Sequence, residues 1–447
     1  MLTVTTHTRG TPANFSAAYR IFQPRYRTWL VVLPAIAGFL VSWEVIHHGR
    51  FLLHQMIDTP IYAHYAGEMK RGLTPYQNFA VEYPPLALPI FLIPSLFAGK
   101  SFSTYQQVFQ LMMLTFGLVS VGLAAYVLLG QRVGARRLIV GVALGALTPV
   151  LMGSVILSRF DLWPTVLTVG ALAAIYTGRT RTSFVLLALG TAAKAYPIVI
   201  LPLLMIYVWR TAGRRKALIG LGIFAAVVFL CFLPFLIVAP HGIWKSIQGQ
   251  SGRPLQIESI GASIWVFAHQ VFGIHLHTYF THGSDNVDGH PAMQFASVMS
   301  VLQAAALVVV WLFYAAGRPT RERLLVASTA AVCAFIVLDR VLSPQYLIWL
   351  APLVMMVPGR RGYAATALLA LSMCLTQVWF PIHFDQLKEF LPLESWAVIA
   401  RNVILLALLG TLAWPDVPIW RTFRTVISRF TNASKVTAPP VPKFDEA

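Results

Sequence analysis

Apolar runs separated by short polar and basic clusters recur along the whole chain, at about residues 28–46, 108–130, 138–157, 162–177, 183–193, 196–209, 217–239, 292–317, 324–339, 344–357, 362–380 and 397–414. Most approach the ~20 residues with which a helix crosses ~30 Å of hydrocarbon, and helices are the expected spanning element because lipid offers backbone N–H and C=O groups no partner. The pattern therefore predicts an all-α polytopic membrane protein with about twelve transmembrane helices. Runs 183–193 and 196–209 are short for full spans, and Lys194 with Pro197 divides them. They read as the halves of a broken hairpin, a form tolerated where irregular backbone lines a polar cavity. The further run Pro84–Ala98 contains Pro84, Pro85, Pro89 and Pro94 and is expected to be interfacial or re-entrant.

Composition narrows the class. The 447 residues are 57% apolar and 11% charged, whereas a soluble domain carries roughly 25% charged residues. A cytosolic enzyme and a disordered basic protein are both excluded. The net charge of +18 lies in short clusters between apolar runs and forms no single patch, so no nucleic-acid partner is expected. With the N-terminus inside, the segments on that side hold 23 of the 34 Lys and Arg but four of the 16 acids, which leaves 11 basic and 12 acidic residues for the other side. By the positive-inside rule both termini are expected in the cytoplasm and the long loops outside. All histidines except His7 fall on the outer side or at its edge. The first run reads as an uncleaved anchor. The chain divides into a cytoplasmic segment 1–27, a membrane domain 28–415, and a cytoplasmic tail 416–447 expected to be disordered. Cys231, Cys333 and Cys374 each sit in an apolar run, so no disulfide framework is indicated.

The unusual chemistry lies in the outer loops. The first, from about His47 to Gln107, is too long for a simple connector. It contains Asp58, Tyr62, Tyr76 and Glu82. Asp58 either caps the helix that Pro60 starts or reaches a reaction at the membrane surface. Arg159 and Asp161 lie between two runs otherwise free of charge, where ions are costly unless they pair or face a cavity. They could also be a snorkelling pair at the interface. Lys194 needs an anionic partner, either a protein carboxylate or a ligand, and the ligand is the favoured reading. Arg253, Gln256 and Glu258 precede Ser259, a candidate cap for the apolar segment 260–273. Asp339, Arg340, Ser343, Gln345 and Tyr346 form a further polar set, in which Ser343 and Pro344 could simply start a helix. His275, His277, His282, Asp285, Asp288 and His290 match no rigid metal scaffold and read as a solvated loop. No phosphate-binding glycine loop, nucleophile elbow or zinc-protease helix occurs, which leaves ATP-driven pumping and serine or zinc hydrolysis without support.

Isolated cations at the ends of apolar helices suit a phosphate whose hydrocarbon tail lies in the bilayer. The ordered set Asp58-x-x-x-Tyr62, Gly72-x-x-Pro75-Tyr76, Glu82-Tyr83-Pro84-Pro85, Arg159-x-Asp161, Lys194-x-Tyr196-Pro197, Arg253-x-x-Gln256-x-Glu258-Ser259 and Ser343-Pro344-Gln345-Tyr346 resembles GT-C-type glycosyltransferases of family 87. The resemblance spans about residues 28–415. It implies a multi-spanning fold with a large first extracytoplasmic loop carrying an acid, matched here by Asp58. It also implies a polyprenyl-phosphate sugar donor, mannose by family precedent, and a glycolipid or glycan acceptor at a bacterial plasma membrane. A leaving phosphate is already a stable anion, so cations and one carboxylate base suffice, unlike hydrolases with two carboxyl groups flanking the bond. The expectation is Asp58 as general base, with Lys194, Arg159 and Arg253 on the donor phosphate. Tyr62, Glu82, Asp161, Glu258, Gln345 and Tyr346 orient acceptor or cations. No metal or cofactor is expected, the lipid-linked sugar being a substrate. The competing class is a transporter or flippase of a lipid-linked or anionic solute, but no internal repeat is evident. A purely structural membrane subunit leaves the outer charges unexplained.

Overall fold

The computed structural model describes residues 25–414, His54 excepted, so the expectations for the N-terminal segment and the tail from 416 lie outside the described residues. Among the described residues eighteen α-helices follow one another in chain order. The first part runs α1 (Arg25–Val45), α2 (Thr59–Lys70), α3 (Leu88–Ala98), α4 (Phe102–Gly130), α5 (Ala135–Met152), α6 (Val155–Ser158), α7 (Leu162–Tyr176), α8 (Thr180–Ala193), α9 (Leu201–Ala212) and α10 (Arg214–Val238). After α11 (Pro240–Ser251) and α12 (Ile260–Phe272) comes a hairpin of β1 (Thr278–Thr281) and β2 (Ser284–Val287). The remainder is α13 (His290–Ala316), α14 (Arg321–Val337), α15 (Leu347–Met355), α16 (Gly359–Trp379), α17 (Phe384–Lys388) and α18 (Pro392–Ala413).

Among the described residues seven helices, α1, α4, α5, α10, α13, α16 and α18, are long and apolar enough to cross a membrane. Several of the twelve expected crossings are shorter. The run at 162–177 is the 15-residue α7, 183–193 is the 14-residue α8, and 324–339 is the 17-residue α14. At 1.5 Å per residue, α7 is roughly 22 Å long. These helices start or stop at irregular segments that carry the polar side chains, and the longer helices shelter them: α7 and α14 are buried along most of their length.

The chain breaks at Lys194, which is extended (φ −160°, ψ 135°), before a 3-10 turn at Tyr196–Ile200 leads into α9. α10 packs along both halves. Pro84–Ala98 is a 3-10 turn at Pro85–Ala87 running into α3, which lies against α2 and α4. α4 begins earlier than its apolar run, at Phe102, where the Ser101 hydroxyl accepts a hydrogen bond from the Thr104 N–H (3.2 Å). The segment 275–290 is not a free solvated loop. Its strands pair antiparallel, Thr278 opposite Val287, around a turn with left-handed His282 and Gly283. The hairpin is laced to the 255–257 segment by Val287 N–H to Leu255 O (2.9 Å) and Ile257 N–H to Asp285 O (3.0 Å).

Arg137, expected among the loop charges, is 1% exposed in α5. Its guanidinium donates to the carbonyls of Val354, Met355 and Val357 at 2.9–3.0 Å, at and just beyond the end of α15, where a helix runs short of amide donors for its carbonyls. A cation suits that end of the helix dipole, so this Arg ties α5 to α15 from within the bundle.

Candidate active site

α2 begins immediately after Asp58, yet the Asp58 side chain does not cap it. The carboxylate turns away and pairs through Oδ2 with the Arg159 guanidinium, whose second nitrogen reaches Met56 O (3.4 Å). The Tyr62 hydroxyl, one turn further along α2, donates to the same Oδ2 (3.3 Å). Asp58 remains 19% exposed, while Tyr62 is 1% exposed with its ring stacked on Phe91 at 4.3 Å. Tyr83 and Phe160 meet Tyr62 edge-on, so aromatic rings from α2, α3 and the two polar connections interlock directly behind the carboxylate.

Asp161 does not pair with Arg159 in a snorkelling pair. It is 1% exposed, and its Oδ1 accepts from Lys194 Nζ and from Trp349 Nε1, both at 2.6 Å. Lys194 therefore has a protein carboxylate as its partner, the less favoured of the two readings. Its ammonium also stands over the rings of Phe160 (4.9 Å), Trp349 (4.9 Å) and Tyr346 (5.4 Å), a cage that favours a cation. Tyr196 stacks on Trp349 at 4.0 Å and exchanges a hydrogen bond with Thr168 (3.0 Å). The break at residue 194 thus delivers one charge into the bundle, and Tyr196 two residues on anchors the segment.

Glu258 lies in the segment before α12, whose Ser259 cap forms as expected, accepting from Ala262 N–H (3.1 Å). The carboxylate is 1% exposed and accepts from Trp379 Nε1 and Gln256 Nε2, both 2.9 Å away. Gln256 in turn accepts from Leu342 N–H (2.9 Å) and lies 3.2 Å from the Ser343 hydroxyl, which is why Ser343 does not cap the 3-10 turn at Pro344–Tyr346. Arg340 donates to Arg253 O (3.1 Å), and Arg253 donates to His282 O (2.6 Å) and Ser284 Oγ (3.2 Å). Asp339 accepts from Arg340 N–H (2.7 Å), and burial raises its carboxyl to about 6. Arg401 and Asn402, on α18, hold Glu258 O at 2.9 and 3.1 Å, with the Arg401 guanidinium 5.1 Å from the Trp379 ring centroid.

These networks share one field. Lys194 interacts electrostatically with Arg159 and Arg253, and Arg159 with Asp161, Glu258 and Tyr346. Of the residues expected at the site, Asp58, Tyr62, Arg159, Asp161, Lys194, Arg253, Glu258 and Tyr346 are joined in this way. Gln345 is half-buried on the 3-10 turn, and Glu82 is exposed at the rim beside Gly283 of the hairpin turn. Sequence reasoning did not single out Trp349, Trp379, Arg401 and Asn402. The last two carried a signal, a charge and an amide inside the apolar run 397–414.

A family model described as glycosyltransferase family 87 matches residues 81–344, more than half of the chain. The chain belongs to glycosyltransferase family 87. It is a multi-pass membrane glycosyltransferase. Among solved structures, ArnT from Cupriavidus metallidurans bound to undecaprenyl phosphate is 13% identical with a TM-score of 0.46, over 93% of this chain and 80% of that one. The Archaeoglobus fulgidus oligosaccharyltransferase in the apo form is 12% identical with a TM-score of 0.42, over 92% of this chain and 56% of that one. No curated protein matches the chain.

Burial pushes the Glu258 carboxyl up to about 7, against the pull of Arg401, the Trp379 N–H and Arg159 and with a push from Asp285. Protonation would forfeit one of its two acceptor contacts and loosen Gln256, which fixes the 340–343 segment. Use of the sugar donor is therefore expected to weaken as pH falls below about 7, read as a rising donor KM that Glu258→Gln makes independent of pH in this range. Stability moves the other way. A carboxyl raised in the folded state from its ordinary 4.5 works against folding above about 7, and that burden eases as pH falls towards 4.5. Parallel loss of donor use and stability would contradict this assignment.

Proposed function

We propose that this family 87 enzyme transfers a sugar, mannose by family precedent, from a polyprenyl-phosphate donor to a glycolipid or glycan acceptor on the extracytoplasmic face of a bacterial plasma membrane. The observation that carries the reading is the inequality of the clustered carboxylates. Asp161 and Glu258 are buried and occupied by protein donors, whereas Asp58 is partly exposed and, among the described residues, makes its side-chain contacts through Oδ2 alone. Of these three, a single reachable carboxylate beside several cations fits a single displacement. The acceptor oxygen attacks the anomeric carbon as Asp58 Oδ1 takes its proton, and the carbon–oxygen bond to phosphate breaks with inversion. The departing lipid phosphate leaves as an anion, so no general acid is required. Lys194, Arg159 and Arg253 are assigned to that phosphate, with Tyr62, Asp161, Glu258 and Tyr346 holding base and cations in place and Glu82 and Gln345 nearer the acceptor. The extracytoplasmic side follows from the count of 23 basic residues on one face against 11 on the other.

The test is purified enzyme with a polyprenyl-phosphate sugar and membrane acceptor. Formation of a new glycosidic bond without ATP supports the enzyme, whereas passage of intact lipid across liposomes with no new bond supports a flippase. Arg253→Ala, which leaves Asp58 and Asp161 their partners, should lower kcat/KM for the donor by ~1.5 to 3 kcal/mol, roughly ten- to 150-fold. Lys194→Ala and Arg159→Ala should lose at least as much, since each also strips a carboxylate of its counter-charge. Unchanged donor dependence in all three would remove the cationic clamp.

A further inference from the structure

α8 runs from Thr180 to Ala193, so its first turn lies roughly 20 Å from Lys194. There the α7–α8 turn and the start of α10 enclose a cleft of ≈ 430 Å³ whose lining includes Arg179, Thr180, Arg181, Thr182, Lys216 and Ile219. The three cations come from both sides of the cleft, are all exposed, and have no side-chain hydrogen bond or ion pair among the described residues. No carboxylate lines the cleft. Three like charges held within one small cavity repel one another unless an anion sits among them, since screening in salt acts over ~8 Å. The N-cap of α8 is Arg179, which offers the first-turn amides no side-chain acceptor, and the hydroxyls of Thr180 and Thr182 add donors. The polar side chains of the lining are three cations and two hydroxyls, the chemistry that holds a phosphate.

The surroundings say where that phosphate comes from. Only 6% of the apolar stretch of α10 is buried, and Leu218, Ile219 and Leu221 at its foot are 50%, 42% and 37% exposed. A hydrocarbon chain can lie on this flank with its head group in the cleft. We propose that the cleft binds the phosphate of an anionic phospholipid, with the acyl chains along the exposed face of α10. A choline-bearing lipid is disfavoured because its own cation would meet Arg179, Arg181 and Lys216.

The experiment uses delipidated full-length protein in detergent, titrated with dioctanoyl-phosphatidylglycerol, dioctanoyl-phosphatidylcholine and glycerol 1-phosphate, with binding read by thermophoresis. Saturable binding of the phosphatidylglycerol is expected, at least tenfold tighter than that of the phosphatidylcholine, because each basic residue near the head group favours an anionic lipid. Arg179→Gln/Arg181→Gln/Lys216→Gln removes only exposed, unpaired charges and should weaken phosphatidylglycerol binding tenfold or more. Lys216→Gln alone, on the other wall, should shift it in the same direction. Equal phosphatidylglycerol affinity of parent and triple variant overturns the proposal, as does equal affinity of the parent for the two lipids. Glycerol 1-phosphate binding as tightly as phosphatidylglycerol would give the cleft to a soluble phosphate and overturn the lipid assignment.

Discussion

Asp58→Asn is expected to lower sugar transfer by about 10²-fold or more while leaving the protein folded. The amide keeps the size of the side chain and can still accept from Tyr62, but it cannot take a proton from an acceptor hydroxyl. It also leaves Arg159, 12% exposed, facing a neutral group, so a displaced guanidinium would contribute to any loss. The double variant Asp58→Asn/Arg159→Gln isolates the effect of the stranded charge on stability. Removing both charges should return the thermal midpoint towards that of the parent, because no unpaired cation remains, while transfer stays lost. Near-normal turnover by Asp58→Asn would take this carboxylate out of the mechanism.

Asp161→Ala should be the most damaging single change to stability, by about 3 to 5 kcal/mol, because it strands a buried ammonium and an indole N–H that share one oxygen. Lys194 sits at 16% exposure among three aromatic rings, which soften the loss of its carboxylate but cannot supply a counter-ion. Asp161→Ala/Lys194→Met should recover much of the thermal midpoint in detergent, since an apolar side chain of similar length suits the aromatic walls, and should remain inactive. A midpoint for Asp161→Ala equal to that of the parent would show that Lys194 has another counter-charge.

The elements that were legible in the sequence are those set by local chemistry. The break at Lys194 follows from a charge before Tyr196-Pro197, the short α3 from its prolines, and the start of α12 from Ser259. The positions of Asp58, Arg159, Asp161 and Lys194 at the ends of apolar runs were equally visible. Their partners were not. Arg159 reaches back about a hundred residues to Asp58, and Asp161 forward to Trp349, pairings that depend on how helices cross and leave no periodic trace. Arg137 was concealed differently. A basic residue near a helix end reads as solvated, yet Arg137 is buried against carbonyls at the end of α15, whereas Arg401 stood out inside an apolar run but its acceptor, Glu258 O, lies far away in the chain. The hairpin at 278–287 was hidden because its polar strands, Ser284–Val287 above all, earn their place by main-chain bonds to Leu255 and Ile257.

The interlocked rings of Tyr62, Phe91, Phe160 and Tyr83 have a kinetic meaning. A segment pinned by such a wedge is a fixed shelf, with no swing to make when a reactant arrives. Under the proposed lipid-linked donor, selectivity is then expected to rest on which carriers fit against that shelf.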